Sequence, residues 1–213
     1  MGSLILVRHA TTAASASGRN LGQASDPPLA DAGFNLAAGV GKALAAELVE
    51  LPHDEVRLLS SPALRCRQTM KPIAEALGLD PTGTELEPGL LEIDYGAWDG
   101  LTAEESHERD PELRERWELD PYLTACPDGE SGRDVAIRAA TVLDPVDAWL
   151  AADRARCAIA VAHNHVNRVR LCQLLGWPMR DYRRRLSAEP GGYSMVTFGA
   201  DSPVIRRYNV SSV

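Results

Sequence analysis

Apolar and polar positions along the chain fall into two kinds of segment that take turns. Short runs dominated by Leu, Ile, Val and Ala, LILV from residue 4, VRLLSS within 55–61 and CAIAVA from residue 157, are bounded by polar residues and read as strands buried on both faces. Between them lie stretches with helical spacing at 31–50, 63–78, 131–150 and 166–175. Pro62 suits the first position of the second of these, Pro72 predicts a kink inside it, and Ser131 is a natural N-cap for the third. Residues 84–100 predict a short strand and then an irregular loop. Residues 102–117 form a charged helical stretch, a short basic helix falls near 181–186, and strands near 192–198 and 203–208 end the pattern. Strands alternating with helices predict an α/β fold, a three-layer α/β/α sandwich around a mostly parallel sheet. No linker divides the chain, so residues 1–213 are expected to form one domain, with approximately 102–129 as a small cap insertion.

Composition narrows the function. With 45% hydrophobic and 24% charged residues the chain can bury an ordinary core, and its net charge of −8 opposes nonspecific binding to nucleic acid or an anionic membrane. Cys66, Cys126, Cys157 and Cys172 are scattered without finger spacing and read as reduced thiols. No apolar run reaches the length of a membrane span, and a strand begins at once, leaving no room for a signal peptide, so a cytoplasmic location is expected.

The chemistry lies at the strand ends. LILV runs into Arg8 and His9, CAIAVA runs into His163, and VRLLSSP leads to Arg65. Neighbouring parallel strands bring their carboxyl ends to one crevice, where these four side chains would meet. Two guanidiniums and two imidazoles repel one another unless an anion joins them, and a phosphate monoester matches arginine forks bidentately.

The segments RHATT, SSPALRCRQT, LLEIDYGAWDG and VAHNHVNRV occur in an order and approximate spacing that resembles the histidine phosphatase superfamily, which includes phosphoglycerate mutase-like enzymes. The resemblance covers nearly the whole chain. It implies that His9 is the nucleophile, forming a phosphohistidine, that Arg8, Arg65 and His163 hold the phosphoryl oxygens, and that Glu92 is the general acid, with Asp94 its nearby rival. The imidazole nitrogen that does not attack should donate to a backbone carbonyl, and a phosphate beside Glu92 should keep that carboxyl protonated to higher pH. Further phosphate contacts are expected from Thr12, Ser15, Arg19 and Asn164, although Ala10 stands where the family has glycine and Ser15 where it has asparagine.

His165 reads as a wall or solvated residue. A zinc site is rejected because two arginines repel a dication and no further ligand follows at the right spacing, so no metal and no cofactor are expected. Glu130 reads as part of the cap at Ser131, and Trp98, Trp117 and Tyr122 as packing or as the substrate mouth. The basic run at 182–186 can attract an anionic substrate or close a homodimer. The expected activity is hydrolysis of a small phosphorylated metabolite without metal. The alternatives are mutase-like transfer between hydroxyls and a phospholigand-binding regulatory protein on the same fold.

Overall fold

The computed structural model describes residues 2–49, 52–199 and 202–211. In chain order the elements are β1 (Gly2–Arg8), α1 (Ala13–Ala16), α2 (Asp31–Glu47), β2 (Val56–Ser60), α3 (Leu64–Ala76), β3 (Glu85–Leu86) and α4 (Ala103–Arg109). Then come α5 (Pro111–Leu119), α6 (Gly132–Ala152), β4 (Cys157–Ala162), α7 (Asn164–Leu175), α8 (Tyr182–Arg185), β5 (Tyr193–Phe198) and β6 (Pro203–Val210).

The six strands form one sheet in the order β3-β2-β4-β1-β5-β6. The β3, β2, β4 and β1 strands run parallel, while β5 and β6 are antiparallel additions at one side. Side chains of successive strand residues point to opposite faces, and β1 shows the consequence. Leu4 and Leu6 join a core with α6, α7 and the two tryptophans Trp98 and Trp117, whereas Ile5 and Val7 join a second core with α2 and α3. All four are at most 2% exposed. Burying each contributes on the order of 1.5–3 kcal/mol, which is why a run apolar at every position is stable only in the middle of three layers.

Ser131 caps α6 as predicted, in a reciprocal box with Asp134. The third helix differs from expectation: it starts at Leu64 with Pro62 outside it, and the free Leu64 N–H of its first turn donates to the Asp26 carboxylate at 2.8 and 2.9 Å. Pro72 lies inside the helix, as expected. The charged stretch at 102–117 divides into α4 and α5 at Asp110–Pro111, since proline fits the first turn of a new helix but disfavours helical geometry in the residue before it. The helix predicted from residue 166 begins two residues earlier, at Asn164, and the predicted end of the helix at residue 50 lies outside the described residues. Among the described residues no helix is long and apolar enough to cross a membrane.

Candidate active site

Parallel pairing of β1 with β4 sets Arg8 opposite Ala162, so the next residues, His9 and His163, leave the same edge of the sheet side by side. Their ring centroids are 5.2 Å apart at an interplanar angle of 65°. His9 is 3% exposed. Its Nδ1 lies 2.9 Å from the Ala10 carbonyl oxygen, which only accepts, so the proton sits on Nδ1 and Nε2 keeps its lone pair. Burial first, then the charges of Arg8 and Arg65, hold the His9 pKa down to about 3, and the ring is neutral at neutral pH. Ala10 is accommodated without a left-handed backbone, which among non-glycine described residues occurs at Asp128 and Asn209.

Arg65, in the first turn of α3 and 1% exposed, donates from Nη2 to the Gly22 carbonyl at 2.9 Å and to His163 Nδ1 at 3.3 Å. Its Nη1 lies 3.4 Å from the same Asp26 carboxylate that receives the Leu64 N–H, so one acid starts the helix and aims the guanidinium. Because a guanidinium only donates, His163 Nδ1 accepts and its proton is on Nε2, 2.8 Å from Ser61 Oγ. Burial and the Arg65 charge keep His163 well below the ordinary imidazole pKa, against the pull of Glu92. Arg8 donates to the Ala188 carbonyl, and its Nε, like that of Arg65, is buried without a partner. Two guanidiniums with unpartnered N–H groups around two neutral imidazoles leave donor capacity for an anion.

Glu92, 4% exposed, is anchored by backbone N–H groups: Ile93 at 2.9 Å and His165 at 3.2 and 3.3 Å. The second of these is in the first turn of α7, where free amides and the helix dipole favour a carboxylate. Burial pushes its pKa up, but hydrogen bonds from His165 and the Ile93 amide, with the attraction of the His165 and His163 rings in their protonated forms, outweigh burial and hold the carboxyl well below the usual carboxylate range. Without a ligand Glu92 is therefore ionised, not protonated. Its charge is felt at Arg8, His9 and His163, which places all of them around one pocket. The loop carrying it is fixed by Arg138, which pairs with Glu130 at 2.8 Å and donates to the carbonyls of Gly89 at 2.9 Å, Leu91 at 2.6 Å and Glu92 at 2.9 Å. Gly96 closes the same loop with φ +52°, where a Cβ would lie 2.0 Å from the Pro127 carbonyl oxygen. Glu130 thus does more than precede a cap.

His165 is not solvated. It is 1% exposed, its Nδ1 lies 3.5 Å from Glu92 Oε1, and the rings of Tyr95, Trp117 and Tyr182 surround it. Trp98 and Trp117 are core residues packed edge to face at 5.9 Å. Asp94 makes a local turn by accepting the Gly96 N–H at 2.9 Å.

The remaining candidates each have a partner within the fold. Thr12 and Ser15 cap α1 reciprocally, each hydroxyl accepting the other's backbone N–H at 3.1 and 2.9 Å. Arg19 pairs with Glu105 of α4 at 2.9 Å and donates to the Gly100 carbonyl at 2.7 Å. Asn164 opens α7 beside His163, and its Oδ1 accepts from Arg168 at 3.2 Å. Ser61, Asp26 and Arg138 were not singled out in the sequence, because each acts through a partner far along the chain. Among the described residues no group of three His, Cys, Asp or Glu side chains is placed to hold a metal ion.

A parallel sheet whose carboxyl edge gathers two neutral histidines, two arginines and a carboxylate defines an α/β protein with a buried anion-receptive pocket. The chain belongs to the histidine phosphatase superfamily, branch 1, whose family model matches residues 4–211. It is 30% identical to phosphoserine phosphatase 1 of Hydrogenobacter thermophilus over 99% of this chain and 93% of that protein. It is 37% identical to a bifunctional protein of Mycobacterium tuberculosis over 63% of this chain, an overlap that spans only 34% of that relative's length. In structure it resembles the mycobacterial glucosyl-3-phosphoglycerate phosphatase, with a TM-score of 0.83 at 23% identity, covering 99% of this chain and 100% of that one.

Proposed function

We propose that this protein is a metal-independent phosphatase that hydrolyses a small phosphate monoester through a phosphohistidine on His9. The observation that carries this reading is the state of His9: a neutral, buried imidazole locked by Nδ1 on the Ala10 carbonyl, with its Nε2 lone pair free beside Arg8, Arg65 and His163. Whole-length similarity to a protein named as a phosphatase supports the same reaction class.

The substrate phosphate binds beside His163 between Arg8 and Arg65, whose positive charge replaces bulk water around the dianion. His9 Nε2 attacks phosphorus, the bond to the ester oxygen breaks, and protonated Glu92 gives its proton to the departing alkoxide. Water then attacks the phosphohistidine, Glu92 takes a proton from it, the P–N bond breaks, and inorganic phosphate leaves. The dianion itself supplies the protonated Glu92, because bringing negative charge into the pocket raises the carboxyl pKa from its depressed value.

Incubation with a radiolabelled phosphate monoester and rapid denaturation tests the scheme. Wild type should carry acid-labile, base-stable label, and His9→Ala should carry none and turn over nothing. Full activity in His9→Ala would overturn the assignment. Appearance of a positional isomer in place of free phosphate would convert the reading to a mutase.

A further inference from the structure

Next to the His9 pocket an open cleft of about 490 Å³ begins at Arg8 and Asn164 and continues along Arg168, Arg183, Arg184 and Arg185, with Glu189 as its single lining carboxylate. These arginines differ in how they are held. Arg184 and Arg185 both pair with Asp181, at 2.5 and 3.1 Å. Arg168 is 8% exposed; it donates to Asn164 and to the Arg183 carbonyl, and its Nε is buried without a partner. Arg183 lies over the Trp117 ring at 4.3 Å, and its Nε is also buried and unpartnered. Arg8, shared with the catalytic pocket, has the same orphaned Nε.

Burying guanidinium N–H groups without acceptors, beside like charges, is costly and survives where an anion completes the site. The helix α7 ties the two regions together, since His163, Asn164 and Arg168 stand at its start and one turn on. A molecule whose phosphate is gripped by Arg8 therefore meets Arg168 and Arg183 next along the cleft.

We propose that the cleft of Arg168 and Arg183 binds a second anionic group, a carboxylate or a phosphate, carried by the alcohol half of the ester. The substrate class is then a small phosphate monoester with an acidic group a few bonds from the scissile phosphate. This rests on the phosphatase reading, and its test is built to fail separately. On a chain of net charge −8, a local arginine cluster of this kind suits a small dianionic or trianionic ligand more than a polyanion.

Three esters of equal length distinguish the outcomes: 3-phosphooxypropanoate, propane-1,3-diol bisphosphate and 3-hydroxypropyl phosphate. In wild type, kcat/KM for at least one of the two acidic esters should exceed that for the neutral one by tenfold or more, and whichever leads identifies the second group. Arg168→Met and Arg183→Gln should each lower that ratio at least fivefold. The second variant keeps the backbone carbonyl that Arg168 holds, so it reports on the side chain even where Arg168→Met fails to fold. Calorimetric titration of His9→Ala with the same three esters measures the preference without turnover. A ratio near one in both assays overturns the subsite while leaving the phosphatase intact. A preference that persists in a folded variant overturns the assignment to these arginines. Absence of turnover of every ester, with the calorimetric preference retained, overturns the phosphatase reading and leaves the anion subsite standing.

Discussion

Replacing Ser61 by alanine tests the hydrogen-bond chain that orients the second histidine. Ser61 Oγ is 2.8 Å from His163 Nε2, and the opposite nitrogen accepts from Arg65 Nη2 at 3.3 Å. Removing the hydroxyl leaves a buried N–H without its acceptor. The ring cannot escape by moving its proton to Nδ1, because that would set an N–H against the guanidinium. An orphaned buried donor costs about 1–3 kcal/mol. Cys66 Sγ, 3.4 Å from Nε2, is a weak acceptor that recovers part of this, so the lower half of the range is expected. For a chain of this length the unfolding midpoint falls by roughly 2–4 °C per kcal/mol, giving a drop of about 2–8 °C in calorimetry. Nitrogen NMR of the imidazoles should find the His163 proton on Nε2 in both proteins. An unchanged midpoint, or a proton on Nδ1 in wild type, would refute the chain of inference from Arg65 through His163 to Ser61.

Glu92→Gln should slow hydrolysis of an alkyl phosphate at least tenfold more than that of p-nitrophenyl phosphate, whose phenolate departs without a proton; steady-state kinetics showing equal losses would remove the acid role. Arg138→Met should lower kcat more than it raises KM and should also lower the melting point, since it frees the three carbonyls that hold the Glu92 loop; a change in KM alone would count against that positioning role. The depressed histidines make a pH prediction with a definite sign. His9 and His163 stay neutral in the fold below the unfolded imidazole value near 6.5, so the unfolded chain binds more protons there. Stability should fall as pH drops through about 6.5, by up to ~1.4 kcal/mol per pH unit for each histidine, and urea midpoints that rise between pH 7 and 5 would contradict the burial of neutral rings.

The central strands were legible because a residue run apolar on both faces has one stable home, the middle of a covered sheet, and β1 and β4 both have it. Their carboxyl ends then had to meet, which is why Arg8, His9 and His163 could be named from their place after the strands. Arg19 illustrates the limit. Next to glycine in a loop it reads as a phosphate contact, and its pairing with Glu105 across 86 positions is one that no local pattern encodes. Thr12 and Ser15 also form a reciprocal cap at the start of α1, and their spacing of three residues is visible in the sequence itself. His165 sits in a polar-looking stretch, NHVNR, and its burial comes from rings on three separate segments that only the fold assembles.

The ionised state of Glu92 in the free protein explains how one pocket can hold two guanidiniums before substrate arrives. Arg8 is crowded by burial and pulled back toward its charged form by Glu92 and Glu189, while the same Glu92 charge acts on both histidines. A substrate phosphate competes for this positive field with two charges against one. On the proposed reading the carboxylate loses its electrostatic support as the phosphate gains it, and a proton on Glu92 becomes favourable where the leaving oxygen will need it.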